Sequence, residues 1–399
     1  MNLTDQFIFI LGTTKFDNPY ESTTYTLAKY LAKSNYVYYI ENPFTWKDYF
    51  RFKGSAEFER RQHYFSSASD GILPTEIENL KVVIVPFLLS INFLPEGLIY
   101  RALLKINERI IAKRLKKIIA AKNIPKPIYI NSFNFHYPNI AKYINPIATV
   151  YHCVDPLILP FDRKHGVISE QILLQKSDMV VCTSKQLYTE KKETNPNTYF
   201  VPNAADISHC SKALDEDLQV HESIRNLKKP IIGYFGHVER RFDFDLLKAV
   251  VEKHSEKTFV FAGPVSREFI PDWFFNTPNI ILTGRFDYDQ LPSILKGFDV
   301  ALIPFKKDNV SGTIFPLKLF EYLGAGKPVV CTNFNPDLAE FTHQTVRYCA
   351  DSETFSEAIT SELENDSKER ISERIEIANQ NTWTKRIDEF ANLIYLQIT

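Results

Sequence analysis

Residues 311–330 read SGTIFPLKLFEYLGAGKPVV. Small residues come first, Ser311, Gly312 and Thr313, followed by Pro316, the run LKLFEYL, two glycines and the apolar pair Val329 and Val330. Proline favours a first helical turn and glycine the end of a helix, so the stretch reads as loop, short helix and strand. Gly312 removes a side chain that would hold a diphosphate away, and a helix N-terminus presents amides to an anion. Lys318 and Glu321 share one helix face, which aims an ammonium and a carboxylate in the same direction. On residue types alone the pair is equally a surface ion pair.

Outward from this stretch, short β-branched and aromatic runs at residues 8–11, 37–40, 82–86, 128–131, 149–153 and 179–183 alternate with longer helical patterns. That is the grammar of a parallel sheet with crossover helices. A second series follows at residues 231–235, 258–262, 280–282, 300–304, 329–331 and 347–349. The α/β pattern therefore occurs twice, as the length of 399 residues also suggests. Between the series, residues 208–229 are polar, carry Asp215, Glu216 and Asp217 and lack an apolar period, and they read as a linker. The expected domains are 1–207 and 230–381, with 382–399 as a closing helix. Ligands of open α/β sheets bind beyond the carboxyl ends of the strands, so residues just after each strand, expected along a cleft between the domains, are the candidates.

The second series opens with PIIGYFGHVERRFDFDLL at residues 230–247. Gly236 follows a strand, Arg240 and Arg241 stand in the next turn, and Asp243 or Asp245 can cap a helix. Strand, glycine, basic loop and helix is a phosphate-binding order, although the two arginines can also be merely solvated. Gly263, then Arg285 with Phe286, end the next two runs. In the first series His152 and Asp155 close a strand, and either could take a proton from an acceptor hydroxyl or serve only structure. Asp17 follows the first strand together with Thr13 and Thr14.

The net charge of -1 conceals an asymmetry: up to Ala205 there are 25 Lys and Arg against 18 Asp and Glu, and thereafter 22 against 30. Much of the excess lies in residues 100–126, where nine basic residues face the single acid Glu108 and apolar residues recur at near-helical spacing. This basic amphipathic helix is either an ordinary domain helix or a surface for anionic lipid head groups. Nucleic acid is not an expected partner, because the rest of the chain is not basic. The aromatic and basic stretch FTWKDYFRFKGSAEFERRQHYF, residues 44–65, reads either as an exposed insertion meeting lipid or as a hairpin packed on the sheet. Five dispersed cysteines suit neither a disulfide framework nor a zinc site and are expected reduced in the core. No apolar run approaches a membrane span and the N-terminus has no basic leader, so a cytoplasmic protein is expected, possible also as a peripheral one on the inner membrane face.

The stretch 311–330 resembles the donor-binding signature of bacterial GT-B-fold glycosyltransferases similar to family 4 (glycosyl transferases group 1) and to teichuronic-acid-type polysaccharide transferases, with their pattern P-x-K-x-x-E-Y-L-x-x-G-K-P-V-V. The similarity extends through YHCVDP, SDMVVCTSKQL and YFVPNAAD, and to the closing NTWTKRIDEFANLIYLQI. It implies an α/β GT-B fold, two facing Rossmann-like domains with the last helix crossing back to the first. The N-terminal domain would bind the acceptor and the C-terminal one the nucleotide sugar. It places Glu321 at the donor ribose, Lys318 with the amides of Ser311, Gly312 and Thr313 near phosphates or sugar, and Gly236 with Arg241 at the diphosphate, Arg240 being its alternate. Gly263 and the backbone of Arg285 and Phe286 would edge the base, and His152, Asp155 and Asp17 would line the catalytic side. The implied reaction moves a sugar from a UDP- or GDP-linked donor to a lipid-linked or polysaccharide acceptor, with no cofactor and no metal, since no Asp-x-Asp ends a strand. Thr313 stands where the wider family has its first Glu, which leaves retention or inversion open. The rival expectations are a nucleotide-sugar 2-epimerase and a degenerate binding subunit.

Overall fold

A computed structural model describes residues 3–18, 22–308 and 310–399. The chain forms two compact units, Met1–Val201 with Ile387–Thr399, and Pro202–Arg386. The first is built on eight strands, β1 (Phe7–Leu11), β2 (Tyr36–Ile40), β3 (Ile72–Pro74), β4 (Leu80–Val83), β5 (Ile128–Ser132), β6 (Ala148–Cys153), β7 (Met179–Cys182) and β8 (Thr198–Phe200). They lie in the order β3-β4-β2-β1-β5-β6-β7-β8, parallel except for β3 against β4. Every residue of β5, β6 and β7 is buried, as expected of parallel strands covered on both faces. The two edge additions, β3 and β8, are three residues each, too short to show a period in the sequence.

Helices of this unit that position later arguments are α1 (Thr23–Leu31), α2 (Trp46–Phe52), α3 (Ala56–Arg61), α4 (Leu98–Ala121) and α5 (Pro160–Lys176). A capping box between Thr45 and Asp48 starts α2, with the Asp48 carboxylate accepting from the Thr45 amide at 2.8 Å. The 44–65 stretch is part packed and part open: Phe58 and Phe65 are buried while Trp46 and Phe50 are exposed. In α4, Tyr100, Leu104, Ile111, Leu115 and Ile118 form the buried stripe. Two cations of its C-terminal half, Arg114 and Lys117, turn to the protein itself. Arg114 is buried and donates to the carbonyls of Tyr64, Ser66 and Ser69, while Lys117 donates to those of Ala68 at 2.8 Å and Ser69 at 2.9 Å. Those cations hold a neighbouring loop, because its unpaired carbonyls need donors.

The second unit has six parallel strands, β9 (Ile231–Phe235), β10 (Thr258–Ala262), β11 (Ile280–Gly284), β12 (Val300–Ile303), β13 (Val329–Thr332) and β14 (Val346–Cys349), in the order β11-β10-β9-β12-β13-β14. Strand order reverses between β9 and β12, which makes their carboxyl ends the crevice of this sheet. The helices used below are α6 (Phe244–Lys253) and α7 (Leu317–Gly324). Residues 208–229 are not a free linker: Ala213 and Ile224 are buried in the core of the second unit, and the His221 amide donates to Ser293 O at 3.1 Å. A single 3-10 turn, Ser211–Leu214, and an irregular turn place those apolar side chains, too short for a helical or strand period to mark them. The division falls at Val201 and Arg386, not at 207 and 381. The last helix, α8 (Trp383–Ile398), starts in the second unit and ends in the first. All five cysteines are free and buried. Among the described residues no helix is long and apolar enough to cross a membrane.

Candidate functional site

In the second sheet β9 ends at Phe235, and Gly236 follows with φ of 125°. Its amide donates to Ala262 O at 2.8 Å, so the ends of β9 and β10 run closely together. A Cβ on Gly263 would lie 2.2 Å from the Gly236 carbonyl oxygen, and one on Gly236 would lie 2.9 Å from Lys318 Nζ. Both positions therefore demand glycine for conformation, and Gly263 also for space. The loop after Gly236 then joins the segment leaving β12: Lys306 N donates to Arg241 O at 2.7 Å and Asp243 N to Pro304 O at 2.9 Å. Asp243, not Asp245, caps α6 by accepting from Leu246 N at 3.0 Å.

Lys318 projects from the first turn of α7 into this crevice. Its Nζ donates to the Tyr234 hydroxyl at 2.5 Å and lies 4.4 Å from the centre of that ring and 5.2 Å from that of Phe305. The partners are two π faces and a phenol. Burial presses the Lys318 ammonium down to about 7, and the Arg241 charge acts in the same direction against Glu321 and Glu239. Burial raises the Tyr234 phenol well above its ordinary range, so it stays protonated and donates to His237 O at 3.1 Å. The Tyr322 hydroxyl accepts from Phe235 N at 2.8 Å and ties α7 to the end of β9. Arg241 pairs with Glu239 at 2.6 Å and Arg240 is half-buried nearby in sequence.

Glu321, one turn further along α7, is buried, with the Tyr288 hydroxyl 3.5 Å from its Oε1. The Tyr288 ring stacks on His209, whose Nε2 lies 2.9 Å from Tyr288 O. Arg285 is exposed, and Phe286 meets the His221 ring edge-on at 4.9 Å. Gly263, Arg285 and Phe286 thus end neighbouring strands of the same sheet edge as Gly236.

The amides expected to face a phosphate are engaged internally. Asp308 Oδ1 accepts from Val310 N at 3.1 Å and Ser311 N at 2.7 Å, Gly312 N donates to Asp308 O at 3.0 Å, and Thr313 N to Val310 O at 3.1 Å. A carboxylate that can fold back onto its own turn satisfies the donors in place of an anion. The Thr313 hydroxyl is likewise spent on Val310 O at 2.7 Å, whereas the buried Ser311 hydroxyl has no hydrogen-bond partner.

The three catalytic candidates of the first unit occupy different surroundings. Asp17 is not an open base. Arg61 donates to it at 2.5 and 3.0 Å and Arg60 at 2.7 Å. Burial alone would raise its carboxyl, but the Arg61 hydrogen bonds and charge, with Arg60, hold it below the ordinary range. His152 is buried, with Nδ1 3.0 Å from Ser132 Oγ and its ring 5.3 Å from that of Phe390, and burial pushes its imidazole down to about 3. The imidazole is thus held neutral within the packed end of β6. Asp155 is exposed just beyond β6. Sequence reasoning assigned no role to Tyr234, Tyr322, Tyr288 or Asp308; Tyr322 stands inside the quoted E-Y-L pattern and Asp308, three residues before Ser311, offered the signal of a turn-capping acid, whereas Tyr234 in an apolar strand carries no motif.

Residues 229–365, which make up most of the second unit, match the family model described as glycosyl transferases group 1. The chain is 28% identical over 217 residues to TuaH of Bacillus subtilis (strain 168), provisionally named a teichuronic acid biosynthesis glycosyltransferase. That match takes in 49% of this chain and spans about half of the relative, 53%. Among solved structures, the E. coli trehalose-6-phosphate structure bound with UDP-2-fluoro glucose aligns with a TM-score of 0.67 at 11% identity, over 99% of both chains. The Anabaena protein HepE in complex with UDP aligns with a TM-score of 0.63 at 14% identity, over 98% of this chain and 99% of its own. These likenesses carry the fold, a GT-B arrangement of two Rossmann-like units, and the resemblance read from residues 311–330 is borne out.

Proposed function

We propose that this protein is a glycosyltransferase that takes a sugar from a nucleoside-diphosphate donor bound at the carboxyl ends of β9 and β12 and passes it to a lipid-linked or polysaccharide acceptor. The observation that carries the reading is Lys318, an ammonium held on aromatic faces against the bare backbone of Gly236, one helical turn from the buried carboxylate of Glu321. An ammonium so placed favours a diphosphate, which restores the charge that burial penalises. A carboxylate accepts two hydroxyl bonds, as a ribose offers. Arg241, with Arg240 beside it, adds positive charge where the leaving diphosphate develops its own, so no metal is required. Gly263, Arg285 and Phe286 would border the base. Donor binding would exchange Asp308 for a phosphate oxygen at the 310–313 turn.

UDP is the first donor nucleotide to test, because two structures of this fold hold UDP or a UDP-sugar. GDP is the alternative. The name of TuaH supports a cell-surface polysaccharide as acceptor. Calorimetry of UDP and GDP without magnesium tests the site: one of them binds, and Glu321→Ala weakens it. Absence of binding, or undiminished binding by that variant, removes the donor-site reading. A second reading, a binding subunit without transfer activity, is favoured by Thr313, whose hydroxyl is committed to its own turn. Hydrolysis of a UDP-sugar by the wild-type protein decides against it.

A further inference from the structure

Large apolar side chains are usually covered, and a cluster of them in water on one face marks a surface that meets something else. In the first unit Leu98 is 91% exposed, Phe50 79%, Phe93 74% and Ile99 73%. They belong to three segments that are joined. The Trp46 amide at the start of α2 donates to Leu88 O at 3.0 Å and Lys47 N to Ser90 Oγ at 2.9 Å, which fastens α2 to the loop before α4. From α5, Lys164 Nζ donates to Phe93 O at 3.0 Å, and Arg101 of α4 donates to Ser169 Oγ at 2.9 Å. The Tyr100 ring stacks on His165 at 3.6 Å. The loop carrying Phe93 and the start of α4 are therefore held between α2 and α5.

Helical spacing aligns the exposed residues. Trp46 and Phe50 fall at i and i+4 on α2, with Lys53 just past its end, and Phe161, Lys164 and Ile168 at i, i+3 and i+7 on α5. All six are exposed. Along α4, Leu98, Ala102, Lys105 and Arg109 form an exposed row that continues from the loop. Charge complements the apolar groups. Lys47, Arg51 and Arg163 are exposed as well, whereas the acids on these segments are occupied or withdrawn. Asp48 caps α2, Glu96 is paired with Arg101 at 2.6 Å and with His165 at 2.7 Å, Glu108 is buried against Asn139, and burial raises the half-buried Asp162 carboxyl.

We infer that this face of α2, the 90–97 loop, α4 and α5 docks on an anionic phospholipid bilayer. The aromatic and aliphatic side chains enter the head-group boundary and the lysines and arginines pair with lipid phosphates, as on interfacial amphipathic helices. The contact is made by the N-terminal end of α4, not by Arg114 and Lys117, which donate to loop carbonyls within the unit. The inference stands on the surface of the first unit and is independent of the donor site.

Flotation of the full chain with phosphatidylcholine vesicles, with and without phosphatidylglycerol and at low and high salt, tests it. The expected result is co-flotation that requires phosphatidylglycerol, falls at high salt, and weakens about tenfold or more in Leu98→Ser/Ile99→Ser and, separately, in Lys47→Glu/Arg51→Glu. Both variants are expected to keep the wild-type melting temperature and UDP affinity, so failure of UDP binding bears only on the donor site. No phosphatidylglycerol-dependent flotation, or undiminished flotation of both variants, overturns the proposal. So does a dimer in sedimentation velocity that the Leu98→Ser/Ile99→Ser change dissociates, since a second copy would then be the occupant.

Discussion

At the carboxyl edge of the first sheet Arg61, fully buried, spends all five of its N–H donors on Asp17, Glu41 and the Glu57 carbonyl, whereas at the corresponding edge of the second sheet Lys318 leans on a phenol and two aromatic rings. Lys15 joins the first cluster, 3.9 Å from Glu41, and beside it Asn134 donates to Gly12 O at 2.7 Å and Thr24 bonds Ser132 at 2.8 Å. Every strong charge there has its opposite in place. In the second edge the cation keeps a desolvation cost larger than the Glu321 and Glu239 charges offset, and the backbone before it is stripped to glycine. A closed network holds a fold together; a cation left on aromatic faces is poised for a ligand anion.

The comparison breaks most readily at Arg61. Arg61→Met leaves Glu41 and Asp17 without their shared partner and should cost the first unit about 3–5 kcal/mol in urea denaturation, with UDP affinity of the folded protein unchanged. A loss of UDP binding without a stability loss would reverse the roles assigned to the two edges. Lys318→Met should act oppositely: UDP affinity by calorimetry falls about 10- to 100-fold, while stability is kept or gained, since a desolvated charge is removed.

Acid sensitivity sharpens the contrast further. His152, held at about 3 when folded and at about 6.5 when unfolded, binds fewer protons in the native state between those values. Its contribution to stability is full above pH 6.5 and is lost as pH falls towards 3, amounting to about 1–2 kcal/mol between pH 6.5 and 5. Denaturation of wild type and His152→Gln at the two pH values should show a steeper decline in the wild type. Because His152 stays neutral, no step in a pH–rate profile near 6.5 should disappear in that variant.

Glu321→Gln should weaken uridine and UDP alike, about tenfold, and leave inorganic diphosphate binding unaffected. Equal weakening of diphosphate would move Glu321 from the ribose to the phosphates. The smallest effect is protonic. With Lys318 pressed to about 7, part of the population is neutral between pH 7 and 8, and a bound diphosphate raises its affinity for a proton. UDP binding should therefore take up a fraction of a proton in that range, read from calorimetry in buffers of different ionisation enthalpy, and Lys318→Met should abolish the uptake. The sign for the unliganded fold follows from the same depression: the unfolded state binds more protons between pH 7 and 10.5, so this group's penalty fades as pH rises through that window.

Much of the fold was legible because its signals are local. All twelve expected strands are present, for β-branched runs buried on both faces look alike wherever they occur. β3 and β8 were missed because three residues carry no period, and residues 208–229 because short turns can bury Ala213 and Ile224 without one. In the site, Gly236, Gly263, Lys318 and Glu321 were readable from spacing. That Asp17 and the 311–313 amides already have partners within the protein was not legible, since exposure of a charge or an amide depends on which distant or folded-back group satisfies it first.

By itself, the sequence determined the two α/β series, the glycines after β9 and β10, and the Lys318 and Glu321 pair on one helix face, all consequences of backbone period and steric need within a few residues. Only the tertiary structure decided which of the strand-end charges cancel. Asp17 and Arg61 stand 44 residues apart in the chain and Tyr234 and Lys318 stand 84 apart, and each pair meets only because parallel strands carry their ends to a common edge. Electrostatic energy falls with distance and with exposure to water, neither of which is written in the order of residues.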